Sequence, residues 1–138
     1  AFGPNGRSYQ RRIPEKMRRE AFLQAFAARA GAGRVLVYEG MQFEDDRPRT
    51  RTVVEWIGKL GDAGTVLLVT PDIDEMTARA AANAKHVAVR SVGALRTTDV
   101  LTHDTVVVRR DALEALASRV ALSGTNSAAG RRTGAGAA

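Results

Sequence analysis

Arg7, Arg11 and Arg12 stand among Phe2, Tyr9, two glycines and a proline within the first thirteen residues. Guanidinium groups fork onto phosphate oxygens, and aromatic rings stack on unpaired bases. A Gly/Pro-rich backbone lets both reach along an extended polyanion. Lys16, Arg18 and Arg19 carry the positive charge onto the following turns. Residues 1–19 hold six cations against Glu15 alone, a net of +5. Residues 20–122 hold 13 basic and 14 acidic side chains, a net of −1. Evenly spread charge would speak only to solubility, whereas a nearly neutral body with a basic arm is what a polyanion selects. The pattern therefore predicts nucleic-acid binding through Phe2, Arg7, Tyr9, Arg11, Arg12, Lys16, Arg18 and Arg19. Contact would be with phosphate and shape, without a base code. The 18 arginines against 3 lysines suit bidentate phosphate contacts, although a GC-rich genome gives the same bias.

Other residue groups could do different chemistry. Asp72, Asp74 and Glu75 follow the end of an apolar run, where ligands bind in open α/β sheets. Three acids there could hold magnesium for phosphoryl transfer, so the alternative reading is a small α/β phosphotransferase or receiver-like domain. Acids are equally favoured at a helix N-terminus by its dipole, and this plainer reading is preferred. A receiver-like domain also wants a lysine in a late loop, and none follows Lys85. His86 and His103 lack a second ligand at metal-site spacing. His103, followed by Asp104, reads as a turn residue bonding backbone. Gly31-Ala32-Gly33 precedes a strand and lacks a third glycine, so it reads as a helix end and not a dinucleotide fingerprint. No phosphate-cradling Gly-x-x-x-x-Gly-Lys-Ser/Thr run and no Gly-x-Ser-x-Gly elbow occurs. With no cysteine, disulfides and thiolate metal sites are excluded. The expectation is no catalytic residue, no metal and no cofactor. A third reading makes the arm a dock for an acidic protein.

These residues need a scaffold, and the hydrophobic pattern supplies one. Residues 1–13 show no helical period and read as an extended loop. Pro14 fits a first helical turn, and a helix to about residue 30 would bury Phe22, Ala25 and Phe26. Residues 34–39 (RVLVYE), 65–70 (TVLLVT), 85–92 (KHVAVRSV) and 105–109 (TVVVR) read as four buried strands. Between them, Thr52-x-x-Glu55 and Asp72-x-x-Glu75 look like capping boxes for two helices. Residues 98–101 suggest one helical turn, and Asp111 would cap a last helix carrying Leu113, Leu116, Ala117 and Val120. Residues 40–49, with Glu44-Asp45-Asp46, read as an acidic surface loop.

Apolar strands alternating with helices predict a mostly parallel four-stranded sheet, covered on both faces in a three-layer α/β sandwich. The expected organisation is a basic arm at 1–13, an α/β globular domain at 14–122 and a disordered Ala/Gly-rich tail at 123–138. Apolar content of 44% is ordinary, and no apolar run approaches the roughly 20 residues of a membrane span. The chain opens on Ala-Phe-Gly-Pro without an initiator Met, as expected of a processed product or a fragment.

Phe2-Gly3-Pro4, Arg7, Tyr9, Pro14, Lys16 and Arg18-Arg19 resemble a stretch of the large-subunit ribosomal protein L-four family. The resemblance extends through Val66-Leu67-Leu68-Val69-Thr70 and through Ala80-Ala81-Ala82-Asn83 before His86-Val87. It also covers Val89-Arg90-Ser91-Val92-Gly93, residues 98–104 (TDVLTHD) and Val106-Val107-Val108, and so spans residues 1 to about 122. Family members usually carry a basic residue, often with a proline, where Asn5-Gly6 stand. They carry Asn-Val-Tyr or similar where Arg96-Thr97-Thr98 stand. The resemblance implies a non-enzymatic structural constituent of the large ribosomal subunit. Its partners would be ribosomal RNA and neighbouring ribosomal proteins, with no membrane and no small-molecule substrate. It makes residues 1–12 the returning end of a longer RNA-penetrating loop, so tunnel lining by that loop's tip is not attributed to this chain. The implied location is the ribosome, with a lean toward an organelle over a bacterial cytoplasm.

Overall fold

Val66-Leu67-Leu68-Val69 has no polar face, so the strand it forms must be covered on both sides. In the computed structural model, which describes residues 2–41 and 49–128 (side chains through 121), this strand is β2, Val66–Thr70. Every residue of β2 is buried. Beside it lies β4, Thr105–Arg109, buried through Val108. The outer strands are β1, Val35–Tyr38, against β4, and β3, Val87–Ser91, against β2. The order is β1-β4-β2-β3 and all three pairings are parallel, with Val35 opposite Val106, Val66 opposite Thr105 and Val66 opposite Val87.

Five helices complete the chain: α1 (Glu15–Gly31), α2 (Thr50–Gly58), α3 (Glu75–Ala82), α4 (Thr97–Thr102) and α5 (Arg110–Ala128). Right-handed crossovers sort them onto two faces. The chain steps from β1 to β2 to β3 in one direction through α2 and α3. It returns to β4 through α4 in the other direction, which places α4 on the opposite face. Phe22 and Ala25 of α1, Val100 of α4, and Ala112 and Leu116 of α5 share one core with Leu67, Val69, Val106 and Val108. Trp56 and Ile57 of α2 share the other with Val66, Leu68 and Val107. The three-layer α/β sandwich with a parallel four-stranded sheet is the observed fold.

Several local expectations need correction. The first and third strands are half-buried, not buried, because both lie at sheet edges, where Val37 is 55% exposed and Arg90 is exposed. Neither expected capping box forms. Helix α2 begins two residues before Thr52, and Glu55 is taken by Arg51, whose Nε lies 2.6 Å from Oε1. Helix α3 begins at Glu75 with Asp74 as its N-cap residue, and Asp74 Oδ2 accepts from Thr77 Oγ1 at 3.1 Å. Asp111 does not cap α5, because β4 runs straight into that helix, leaving Asp111 in the first turn, 3.1 Å from Arg109 Nη2. The inward stripe of α5 is Ala112 and Leu116, with Val120 packed on its edge, while Leu113 is exposed. A missing cap costs about 1 kcal/mol, whereas each fully buried Leu or Val contributes roughly 1.5–3 kcal/mol. Packing onto the sheet therefore decides where these helices form. The helical backbone of α5 continues past residue 122. Glu44-Asp45-Asp46 and residues 129–138 of the expected tail lie outside the described residues.

Candidate nucleic-acid interface

Residues 2–13 form no helix or strand, and every one of them is exposed. Phe2 is 106% and Tyr9 86% exposed, so neither ring is anchored in the core. The one backbone hydrogen bond within this arm runs from Arg7 N to Asn5 O at 2.7 Å. Gly3 and Pro4 explain the open path: proline removes a donor and glycine gives no side chain to pack. Pro14 then stands as the N-cap residue of α1, and its carbonyl accepts from Met17 N and Arg18 N.

The eight residues singled out by sequence fall into three places. Phe2, Arg7, Tyr9 and Arg11 lie along the free arm. Lys16 is on the first turn of α1. Arg12, Arg18 and Arg19 line a groove of 1680 Å³ whose floor includes Phe22 and whose far wall is the turn between β3 and α4, residues 92–97. Arg19 pairs with Glu15 one turn away. Arg12 and Arg18 have no acidic partner among the described residues, and the same holds for Arg7, Arg11 and Lys16.

The far wall adds two cations that the sequence reading did not select, Arg96 and Arg119. Arg119 of α5 donates from Nη1 to Val92 O and from Nη2 to Leu95 O, the latter at 2.9 Å. Its guanidinium carbon also lies 4.7 Å from the Phe22 ring centre. It thus ties the turn to α1 and α5. Arg96 is exposed, and its backbone N–H donates to Asp99 Oδ2 at 3.0 Å, the acid-to-backbone arm of a capping box. Asp99 also faces Arg90 at 3.6 Å. Arg29, near the end of α1, donates to the carbonyls of Val100 and Leu101 and so closes the end of α4. Spacing alone does not mark Arg29 or Arg119, since each meets carbonyls more than twenty residues away.

Most of the other candidates are occupied by local structure, while Asp72 is exposed. Glu75 pairs with Arg79 and Asp74 with Thr77. No group of three His, Asp or Glu side chains suited to a metal comes together among the described residues. His86 is exposed. His103 Nδ1 lies 2.7 Å from Asp99 O at the end of α4. Asp104 Oδ2 accepts from Thr65 N at 3.0 Å and Thr65 Oγ1 at 2.9 Å, while Asp104 N donates back to Thr65 Oγ1 at 3.0 Å. Those two donated bonds hold the Asp104 carboxyl below its ordinary range. Gly64, at φ +61°, makes room: a Cβ there would lie 2.5 Å from Asp104 Oδ2. No helix among the described residues is long and apolar enough to cross a membrane.

Residues 1–119 match the ribosomal protein L4/L1 family. The protein from Deinococcus radiodurans described as large ribosomal subunit protein uL4 is 37% identical over 116 residues, covering 83% of this chain and 55% of that protein. The protein of the same description from Oceanobacillus iheyensis is 34% identical, covering 82% and 54%, and the one from Streptomyces avermitilis is 35% identical, covering 84% and 52%. The chain spans about half the length of these curated relatives. All three organisms are bacteria, so the lean toward an organelle has no support among them. Placed beside the free basic arm and the parallel sandwich, the match over 119 of 138 residues assigns the chain: it belongs to the ribosomal protein L4/L1 family.

Proposed function

We propose that this chain is a structural constituent of the large ribosomal subunit that binds ribosomal RNA through its basic arm and the start of α1. Phe2 and Tyr9 stack on unpaired bases. Arg7, Arg11, Arg12, Lys16, Arg18 and Arg19 contact phosphates, and the sandwich packs among neighbouring ribosomal proteins. It works at the ribosome and carries out no reaction. Family membership supports this reading. The observation that carries it is the arm itself, in which two exposed rings alternate with arginines that no acid in the described structure neutralises. Folding gains nothing evident from exposing these groups, whereas a polyanion gains from all of them.

The test is co-sedimentation with large ribosomal particles across a salt series. Wild-type protein is expected in the particle fraction and should leave it after nuclease treatment. The triple variant Arg7→Ala, Arg11→Ala, Arg12→Ala should bind more weakly, and its affinity should fall less steeply with salt, by about 0.7–0.9 in log–log slope per lost phosphate contact. An unchanged slope would remove the arm as the electrostatic footprint. Retention in nuclease-treated particles would remove RNA as the partner.

A further inference from the structure

The geometry points to Arg96 as a second-wall RNA contact: the groove between the start of α1 and the β3–α4 turn takes a stretch of RNA sugar–phosphate backbone, held from both sides. This rests on the reading of the chain as an RNA-binding protein. It goes further by extending the interface from the arm onto the folded body and by assigning a residue more than eighty positions away in sequence.

Four observations carry it. The groove is continuous with the arm, because Arg12 and Ile13 form its rim where the arm enters α1. Its charge is one-sided: Arg12 and Arg18 on the near wall and Arg96 on the far wall have no acidic partner among the described residues, while Glu15, the lining acid, is paired with Arg19. The far wall is held rigidly, since Arg119 fixes the carbonyls of Val92 and Leu95. Gly93 at its crest has nothing within 4 Å of a would-be Cβ, so a ligand can approach the backbone closely there.

Unpaired guanidinium groups that face each other across the groove, Arg12 and Arg18 against Arg96, suit a chain that carries a charge on every repeat. Phosphates along a nucleic-acid strand meet that requirement and accept bidentate donors. A protein partner would need an apolar centre in the interface. Among the lining residues, Ile13 and Met17 are the large apolar side chains that stay exposed; both stand on the near wall, and the far wall offers none.

Arg96 is a clean probe. Its backbone N–H serves the cap of α4, and its guanidinium group, which has no acceptor to offer the helix, makes no ion pair with the described residues. Arg96→Ala should therefore melt at the wild-type temperature. The probe is a bacterial large-subunit ribosomal RNA transcript, titrated in a filter-binding assay at several salt concentrations. Four proteins are compared: wild type, Arg96→Ala, the arm variant Arg7→Ala/Arg11→Ala, and Arg79→Ala. Arg79 sits on α3, on the other side of the sheet, and controls for bulk charge.

The expected result is a slope reduced by about 1 in Arg96→Ala, with weaker binding across RNA sequences and no change in Arg79→Ala. If Arg96→Ala keeps the wild-type slope while the arm variant loses slope, the groove assignment is overturned and the arm reading stands. If neither variant changes it, both fail. An equal loss in Arg79→Ala would reduce the effect to net charge and overturn the assignment. Tighter binding to poly-glutamate than to RNA, with the same dependence on Arg96, would also overturn it in favour of an acidic protein.

Discussion

Asp104 is a brace between the starts of two strands. Its Oδ2 receives both the N–H and the hydroxyl of Thr65, closing the start of β2 onto the start of β4. Those bonds favour the charged form, so the folded-state pKa lies below the ordinary carboxylate value of about 3.9. A group with a depressed folded pKa adds stability that is fully present above its unfolded pKa. That stability is lost as pH falls through the lower folded value. Asp104→Asn should therefore be less stable than wild type at neutral pH, and the difference should shrink as pH drops below about 4. Urea midpoints measured from pH 7 to pH 2 would check this, and a difference independent of pH would refute it. The pattern His103-Asp104 was legible, as was its reading as a turn. The pairing with Thr65 was not, because nothing local in the sequence joins positions 39 residues apart.

At the level of elements, the four strands were legible because Val, Leu and Thr cluster in blocks too short for helices. Helix starts were legible only to within a few residues. Thr52-x-x-Glu55 and Asp72-x-x-Glu75 carry the letters of a cap, yet packing against the sheet sets the start elsewhere. On α5 the expected Leu116 and Val120 face the core, but Ala112 is buried in place of Leu113, and Ala117 is exposed. The clamps were invisible for a different reason. Arg29 and Arg119 look like solvent-facing charges on helices, but Arg29 ends on carbonyls of α4 and Arg119 on carbonyls of the β3–α4 turn. Arg119→Met should leave two carbonyls without their donors and Phe22 without its cation. The expected loss is roughly 1–3 kcal/mol in a denaturant titration, with Arg119→Lys recovering part of it. A midpoint unchanged in Arg119→Met would show that the turn holds itself.

Across the whole molecule, charge and fold divide the labour. The sandwich is nearly neutral and buries its apolar strands, while the arm carries the cations and packs on nothing in the described structure. That division could be read from composition along the chain. The groove could not, since its two walls come from residues 12–22 and 92–97, with a third support from α5. Strand order was equally hidden: many parallel arrangements would bury the same apolar blocks, and the observed one is β1-β4-β2-β3. This order has a consequence for the protein's making. Among the described residues β1 pairs only with β4, the last of the four strands to be synthesised, so these strands leave β1 unmatched until residue 109 has left the ribosome that builds the chain. Only the β2–β3 pair can form earlier. A polypeptide of residues 1–104 should therefore lack the cooperative thermal transition of the full chain by circular dichroism, and adding residues 105–121 should restore it. Vectorial synthesis keeps the sheet open to the end, and a single late strand closes both halves at once.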